Sequence, residues 1–324
     1  MNSNVLVTRL IPQPGLDILK KHCRTVDVNP HDRPLTREEL LHQVRGRDGI
    51  LCLLTDTIDD DIFRAADGAK IFANCAVGYN NIDVESATRR SIMVTNTPGV
   101  LTETTADLTW ALIFAAARRI AECDRFTRAG KFKGWGPLLM LGTEVTGKIL
   151  GIVGAGRIGT AVSKRSVGFD MRILYTDTVR NDELEKAVRA ELTGLDDLLQ
   201  QSDFVSLHVP LLPETTHLIG HREFRLMKKS AFLINTCRGP VVHEKALVEA
   251  LRTQEIAGAA LDVYENEPRL EPGLAEMENV ILAPHIGSAT VETRTKMATM
   301  AAENLIAGLK GERPPNLINS EVIE

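Results

Sequence analysis

The chain has 324 residues, of which 44% are hydrophobic and 25% are charged, and its formal net charge at pH 7 is −5. A chain of this length is expected to form about two domains, and its ordinary composition excludes a fibrous or a disordered protein. Because the net charge is mildly negative and the basic residues form no cluster, the sequence gives no support for a nucleic-acid or an anionic-membrane partner.

Neither a membrane span nor an export signal is expected. The longest strongly apolar stretch, residues 108–117, is far shorter than the ~20 residues that a spanning helix needs. The N-terminal residues pass almost directly into a strand pattern, without the basic and apolar regions of a signal peptide. The five cysteines are odd in number and lack C-x-x-C spacing, which argues against disulfides and against a zinc site. We therefore expect a cytoplasmic protein without a metal.

Residues 1–100 alternate between short apolar runs and helical patterns, which predicts a parallel, doubly wound sheet. Thr36 and Glu39 have the spacing of a capping box and predict a helix that begins there and ends near Val44. The predicted strands lie at residues 4–11, 25–28, 49–54, 70–74 and 91–96, and the other predicted helices lie at residues 14–22, 59–65 and 83–88.

A long helix is predicted from Thr102 to about Gly130, because apolar residues recur there at helical spacing. Residues 131–146 follow without a clear period, although they include Trp135 and a run of leucines. Apolar side chains in an irregular segment suggest a subunit interface, and therefore a homodimer. The alternative is that this segment packs on its own domain.

The stretch from Lys148 to Gly159 predicts a strand, a tight turn and a helix. Its glycines have the G-x-G-x-x-G spacing, which suits a turn that admits a pyrophosphate at the helix N-terminus. A second apolar run ends at Asp177, where a carboxylate can bind the ribose of NAD and repel the extra phosphate of NADP. The residues that we assign to the cofactor in this turn are Gly154, Ala155, Gly156, Arg157, Ile158 and Gly159.

Further apolar strands end at residues 175, 207, 234, 261 and 282, and helices lie between most of them. A last helix over residues 290–310 is free to return to the first domain. We therefore predict an α/β protein with two doubly wound parallel-sheet domains and a ligand cleft between them. Residues 1–100 and 289–324 would form the substrate domain, and residues 101–288 the NAD-binding Rossmann domain.

Ligands of open α/β sheets bind at the carboxyl ends of the strands, so the polar residues that follow each strand are expected to share one crevice. Of these, Asp262 is well placed to accept a hydrogen bond from the nicotinamide carboxamide. The other strand-end residues assigned to cofactor or substrate are Pro210, Thr236, Cys237, Arg238, His285, Gly287 and Ser288.

Three residues of this crevice suit the reduction of a ketone. Arg238 offers a fork of donors that matches a carboxylate and polarises a carbonyl oxygen. His285 can give or take a proton at physiological pH. Glu267 could orient His285 and favour its imidazolium form, but Glu265 is a rival that spacing alone does not exclude.

These features together resemble those of the D-isomer-specific 2-hydroxyacid dehydrogenases, over nearly the whole chain. The resemblance rests on four motifs, at residues 153–159, 235–239, 261–268 and 283–288. It implies a flavodoxin-like substrate domain, selects Glu267 as the partner of His285, and assigns the 2-oxoacid to Arg238. It also implies that the amides of Val77 and Gly78 hold the substrate carboxylate and that Thr105 contacts the cofactor.

Within this family, residues 134–142 and 168–175 are most similar to the glyoxylate and hydroxypyruvate reductases. That likeness implies reduction of one of these two acids to the D-2-hydroxyacid, with Leu54 in the substrate pocket and Trp135 reaching a neighbouring subunit. Some such reductases have Arg or Ser where Asp177 stands, so Asp177 favours NAD(H) over NADP(H). Cys237 and His243 replace the usual Ala and Asp, and no chemical role follows for either.

Several alternatives stay open. Phosphoglycerate and D-lactate dehydrogenases share the framework. Phosphite dehydrogenases resemble it with Lys where Val77 stands, so phosphite is disfavoured. A different class is an NADH-sensing binding protein similar to the dehydrogenase-like corepressors. The complete set of Arg238, Glu267 and His285 favours an enzyme over a sensor.

Overall fold

A computed structural model describes residues 1–323. Its strands, in chain order, are β1 (Asn4–Val7), β2 (Thr25–Val28), β3 (Gly49–Cys52), β4 (Ile71–Asn74), β5 (Met93–Thr95), β6 (Ile149–Val153), β7 (Arg172–Thr176), β8 (Glu191–Leu192), β9 (Phe204–Leu207), β10 (Phe232–Asn235), β11 (Gly258–Leu261) and β12 (Val280–Leu282). Its α-helices are α1 (Gln13–His22), α2 (Arg37–Gln43), α3 (Asp60–Ala65), α4 (Val84–Arg89), α5 (Thr102–Ala117), α6 (Ile120–Arg128), α7 (Arg157–Arg165), α8 (Asp182–Val188), α9 (Leu195–Gln201), α10 (His221–Leu226), α11 (Glu244–Arg252) and α12 (Val291–Leu309).

The described chain divides into two compact units. The first comprises Met1–Leu101 together with the segment from Ser288 onward, and the second comprises Thr102–Gly287. The last helix belongs to the first unit because α12 packs closely on α1. A Cβ atom on Gly15 would lie only 2.8 Å from the carbonyl oxygen of Ala298, so these two helices approach each other at backbone distance.

Each unit is built on one parallel sheet, as predicted. The first sheet has the order β2-β1-β3-β4-β5, which is the flavodoxin-like order. The second has the order β12-β11-β10-β9-β6-β7-β8, which is the Rossmann order extended by one strand. In both sheets the order reverses beside the first strand of the unit, and ligands of such sheets bind outside the carboxyl ends of the strands at that reversal.

Alternating side chains of the central strands enter two separate cores, one on each face of the sheet. In β3, Leu51 packs into one core of the first unit, whereas Ile50 and Cys52 pack into the other. In the second unit, Ile152 and Val153 of β6 likewise divide between two cores. Helices therefore cover both faces, and the strand ends are left for polar residues.

One local prediction differs from the structure, and one short strand is missing from the predictions. The helix predicted over residues 102–130 is wrong in its continuity, because Arg119 adopts a left-handed conformation with φ of 53° between α5 and α6. Its guanidinium is held there by Glu122 at 2.7 Å and by the carbonyl of Leu141 at 3.2 Å. The two-residue strand β8 was not predicted.

The capping box of Thr36 and Glu39 is confirmed at the start of α2. No helix within residues 1–323 is both long and apolar enough to cross a bilayer.

Candidate active site

The glycine turn between β6 and α7 shows why each of its three glycines is small. Gly154 has φ of 95°, and a Cβ atom on it would lie 2.8 Å from the backbone of His208. A Cβ atom on Gly159 would lie 2.1 Å from the carbonyl oxygen of Gly154, so strand and helix could not pack as closely. A Cβ atom on Gly156, in contrast, would meet no described atom within 4 Å. The second glycine therefore borders open space rather than protein.

This open space fits the pyrophosphate of a dinucleotide. Helix α7 begins at Arg157 directly after Gly156, and the first amides of a helix have no partner within it. Together with the helix dipole they favour an anion at this end. Ala155, Arg157 and Ile158, the other predicted cofactor residues of the turn, lie in this same segment.

Asp177 lies just beyond β7, and backbone amides fix both of its oxygens. Oδ2 accepts from the amide of Ala155 at 2.7 Å, and Oδ1 accepts from the amide of Thr178 at 2.7 Å. The side chain of Asn181 donates to the carbonyl of Ala155 at 2.8 Å. The carboxylate that is predicted to read the ribose is thus held against the glycine turn.

The predicted residues that follow β9 and β10 are tied to the protein by short contacts. The hydroxyl of Thr236 lies 3.0 Å from that of Thr109, and the carbonyl of Pro210 accepts from Thr215 at 2.6 Å. The thiol of Cys237 donates to Asn235 at 3.1 Å, and burial raises the pKa of this thiol to about 11. Cys237 is therefore a neutral thiol at physiological pH.

His285 and Glu267 form a pair in the second unit. Nδ1 of His285 lies 3.0 Å from Oε2 of Glu267, and the two side chains are 27% and 33% exposed. Burial works to raise the pKa of Glu267, but the hydrogen bond and charge of His285, the amide of Tyr264 and the charge of Arg238 together outweigh it and hold this pKa below its ordinary value. An ionised carboxylate can only accept, so Nδ1 carries the hydrogen of this contact and Nε2 takes no part in it.

The rival acid, Glu265, faces elsewhere. Its Oε1 lies 2.6 Å from Nε2 of His217, and its Oε2 accepts from the amide of Glu244 at 3.0 Å. The geometry therefore pairs His285 with Glu267 and assigns Glu265 to the support of the neighbouring loop.

Arg238 lies three residues after the end of β10, directly before the short 3-10 turn Gly239–Val241, and is half-buried. Its Nη1 donates to the carbonyl of Cys237 at 2.7 Å, and its own carbonyl accepts from Asn235 at 3.0 Å. Burial lowers the pKa of Arg238, and the charge of Glu267 offsets part of that effect. A guanidinium remains charged under these conditions, so the site holds a cation next to the His285–Glu267 pair.

Asp262 holds the backbone of His285 in an unusual conformation. His285 has φ of 55°, which is uncommon for a residue with a side chain. The two amides that follow it, of Ile286 and Gly287, donate to the two oxygens of Asp262 at 2.7 Å each. Burial raises the pKa of Asp262, and these amides oppose the rise. Asp262, predicted to bind the nicotinamide, therefore also fixes the loop that presents His285.

Tyr264 connects the same elements, and the sequence offered no pattern that would have selected it. Its amide donates to Oε1 of Glu267 at 3.1 Å, and its hydroxyl donates to the carbonyl of Ala283 at 2.8 Å. A Cβ atom on Gly239 would lie 1.8 Å from the backbone of Tyr264. One residue thus contacts the Glu267 loop, the strand before His285 and the turn after Arg238.

The remaining predicted residues lie as follows. Thr105 of α5 donates its hydroxyl to the carbonyl of Gly287 at 3.0 Å. In the first unit, Leu54 follows β3, and Val77 and Gly78 lie in the loop after β4. Ser288 begins the segment that returns to that unit.

Comparison with known proteins places the chain among oxidoreductases. The family model for the D-isomer specific 2-hydroxyacid dehydrogenase, NAD binding domain, matches residues 110–287. A glyoxylate reductase of Korarchaeum cryptofilum is 53% identical over all of this chain and 98% of that protein. The crystal structure of the TT0316 protein from Thermus thermophilus is 44% identical, covers 97% of this chain and 99% of its own, and superimposes with a TM-score of 0.91.

An NADPH-dependent glyoxylate/hydroxypyruvate reductase of Sinorhizobium meliloti, solved with NADP and malonate, is 29% identical with a TM-score of 0.86. It covers 99% of this chain and 98% of its own. The fold and the glycine turn define an oxidoreductase with an NAD-binding domain. The chain belongs to the D-isomer-specific 2-hydroxyacid dehydrogenases.

Proposed function

We propose that this protein reduces a small 2-oxoacid, glyoxylate or hydroxypyruvate, to the D-2-hydroxyacid with NADH. The observation that carries this proposal is the contact between His285 and Glu267, 3.0 Å apart, beside the half-buried cation of Arg238. An acid–base pair beside a fixed positive charge suits a substrate that has both a carboxylate and a carbonyl oxygen.

Each of the three residues has a separate task in this reaction. Arg238 binds the 2-oxoacid and polarises its carbonyl oxygen. Nε2 of His285 gives its proton to that oxygen, and the carboxylate of Glu267 stabilises the imidazolium that gives it. When bound, NADH supplies the hydride that is added to C2. The carbonyl thus gains one hydride and one proton and becomes a hydroxyl group.

The substrate proposal follows the relatives together with the residues. The Korarchaeum relative is a glyoxylate reductase, and the Sinorhizobium relative acts on glyoxylate and hydroxypyruvate. Three further residues of the first unit belong to the proposed set, with the amides of Val77 and Gly78 on the substrate carboxylate and Leu54 beside the substrate. Ser288 is also assigned to the substrate.

We propose NADH rather than NADPH on the basis of this chain's own residues. Asp177 presents a carboxylate where a 2′-phosphate would add negative charge. The nearest arginine in sequence, Arg180, is engaged with Glu185 at 2.6 Å and with Asp182 at 3.3 Å. A guanidinium that is already paired with carboxylates binds a phosphate less strongly. The Sinorhizobium relative is NADPH-dependent, so the family alone does not fix the cofactor.

We also propose a homodimer formed through residues 131–146. Trp135 is 86% exposed and Leu138 is 81% exposed in this irregular segment. Large apolar side chains with such exposure are costly in water and are typical of a protein interface. A location in the reducing cytoplasm stays a prediction, with which five free cysteines agree.

The test is a panel of 2-oxoacids with both cofactors. Wild-type protein should oxidise NADH faster with glyoxylate or hydroxypyruvate than with pyruvate. With either of the first two acids it should oxidise NADH faster than it oxidises NADPH. His285→Ala should lower kcat by ~10² to 10⁴ while the dissociation constant for NADH stays the same. His42→Ala removes an exposed histidine of α2 and should change neither value.

Two results would overturn the proposal. Tight binding of NADH without turnover of any 2-oxoacid would identify an NADH sensor instead. Turnover by His285→Ala at the wild-type rate would show that His285 takes no part in the reaction. Phosphite-driven reduction of NAD is included in the panel to detect a phosphite dehydrogenase.

A further inference from the structure

The loop after β4 is braced in a way that the proposed reaction does not by itself explain. Three successive carbonyl groups, of residues 76–78, each accept a hydrogen bond from within the first unit. The carbonyl of Ala76 accepts from the amide of Thr97 at 2.8 Å. The carbonyl of Val77 accepts from the side chain of Asn96 at 2.8 Å, and that of Gly78 accepts from the side chain of Asn74 at 3.0 Å.

We propose that Asn96 is a positioning residue that turns the amide of Gly78, beside that of Val77, toward the substrate carboxylate. This inference rests on the proposed function, because it assumes that these amides bind that carboxylate. It adds the side chain that orients the second of them. Asn96 does not need to touch the substrate.

The geometry of the peptide group gives the reason. In a trans peptide the carbonyl and the following amide point in opposite directions. When Asn96 holds the carbonyl of Val77, it turns the amide of Gly78 to the opposite side. Thr97 acts in the same way through Ala76 on the amide of Val77. Among residues 1–323, neither of these two amides donates to a protein acceptor. Successive amides that are oriented and unpaired form a concave site for an anion.

Asn96 is itself fixed by the C-terminal segment of the same unit. Its carbonyl accepts from the buried side chain of Asn304 in α12 at 3.1 Å, and its amide donates to the carbonyl of Asn316 at 3.3 Å. The amide of Asn316 donates to Asn304 at 3.3 Å. The backbone of Asn96 is therefore held by two hydrogen bonds from this segment.

Asn74 is linked to the loop that carries Leu54. Its side chain also donates to Oδ1 of Asn81 at 3.2 Å. Asn81 in turn donates to the carbonyls of Leu53 at 3.1 Å and of Asp56 at 3.0 Å. The loops after β3 and β4, which hold the predicted substrate contacts of the first unit, are thus joined by a chain of side-chain amides.

Asparagine suits this task because its amide nitrogen donates without adding charge. An aspartate in its place would be ionised and could only accept, so it would repel the carbonyl of Val77. It would also place a negative charge near the bound carboxylate. This difference makes Asn96→Asp a sharper test than truncation alone.

The experiment compares Asn96→Ala, Asn96→Asp and wild-type protein, with Asn29→Ala as the matched control. Asn29 is a buried asparagine of the same unit that donates to the carbonyls of Thr8 and Arg33. We expect both Asn96 variants to raise KM for glyoxylate at least tenfold and kcat to change less than threefold, because the lost contact binds ground state and transition state alike. Asn96→Asp should have the larger effect. The control should change the melting temperature but not KM.

Oxalate, a dicarboxylate that is not reduced, separates this inference from the proposed function. Its dissociation constant is measured by calorimetry on the NAD-loaded protein, and the Asn96 variants should weaken it at least tenfold while NADH binds as in the wild type. If wild-type protein reduces no 2-oxoacid, the proposed function fails, and oxalate binding still reports on Asn96. If KM and the oxalate constant of both variants stay within twofold of wild type, the positioning role is wrong.

Discussion

At the scale of the residue, the site depends on which partners each of two acidic side chains contacts. Glu267 contacts His285 and the amide of Tyr264, whereas Glu265 contacts His217. The two acids are two positions apart in one loop, but only one faces the histidine. Its pKa lies below the ordinary value, so its charge is present throughout the neutral range.

The pH dependence of activity should report on the charge of Glu267. In the proposed reaction the carboxylate of Glu267 supports His285, so activity should fall where that carboxylate becomes protonated. Because the pKa of Glu267 is lowered, the carboxylate that supports the imidazolium is lost only as the pH falls through that lowered value. Glu267→Gln has no carboxylate to protonate, so the acid fall in kcat/KM should disappear and kcat/KM should be lower than in the wild type across the neutral range.

Glu265→Gln is the control for this measurement. It lies in the same loop and contacts His217, so the pH profile should stay where it is in the wild type. A profile that shifts equally in both variants would show that the loop as a whole, and not the Glu267 charge, sets the pH dependence.

Cofactor choice is a second prediction at this scale. Asp177→Ala should reduce the preference for NADH over NADPH, measured as the ratio of kcat/KM values, at least tenfold, because the carboxylate that repels the 2′-phosphate is lost. Glu183→Ala removes an equal charge from an exposed acid of α8 and should leave the ratio unchanged. An unchanged ratio in Asp177→Ala would mean that Asp177 does not read the ribose.

At the scale of the element, the strand-turn-helix of residues 149–165 separates packing from binding. Gly159 is small because the backbone of Gly154 lies against it, whereas Gly156 borders open space. The same residue type therefore serves two purposes three positions apart. The break between α5 and α6 is a similar local effect, since one left-handed residue, Arg119, ends the apolar helix.

Alanine at Gly159 should lower stability, whereas alanine at Gly156 should weaken cofactor binding. Gly159→Ala should destabilise the protein by about 1–3 kcal/mol, because strand and helix must move apart. Gly156→Ala should change the free energy of unfolding by less than about 0.5 kcal/mol, yet weaken NADH binding at least tenfold. Urea unfolding and fluorescence titration measure the two quantities. Wild-type affinity in Gly156→Ala would contradict a pyrophosphate at this turn.

At the scale of the whole molecule, the chain leaves its first unit at Leu101 and returns to it from Ser288. The return depends on the contact between α1 and α12. The irregular segment over residues 131–146 is the other large-scale feature. It exposes large apolar side chains, and such exposure is typical of a surface that a second chain covers.

Light scattering tests the proposed dimer. Wild-type protein should have twice the mass of one chain, and Leu138→Asp should dissociate it, because a charge would be buried in the interface. Leu10→Asp changes a leucine that is 64% exposed in the first unit and should leave the mass unchanged. A wild-type monomer, or a dimer that tolerates Leu138→Asp, would exclude this interface.

The sequence by itself determined the elements and their class. Alternating periods, the capping box of Thr36 and the glycine spacing are all local patterns, and they were enough to predict two parallel sheets and the turn at Gly154. The positions of most strands followed as well, because buried parallel strands are short apolar runs. The break at Arg119 did not follow, because a single left-handed residue leaves no periodic pattern.

Only the tertiary structure decided which side chains meet. Asp262 holds the amides of Ile286 and Gly287, 24 and 25 residues away, and Asn96 holds the carbonyl of Val77, 19 residues away. From residues alone, the choice between Glu265 and Glu267 stayed open for the same reason. Hydrogen bonds act over about 3 Å, and the distance between residues far apart in sequence is set by the packing of the sheets and not by local pattern.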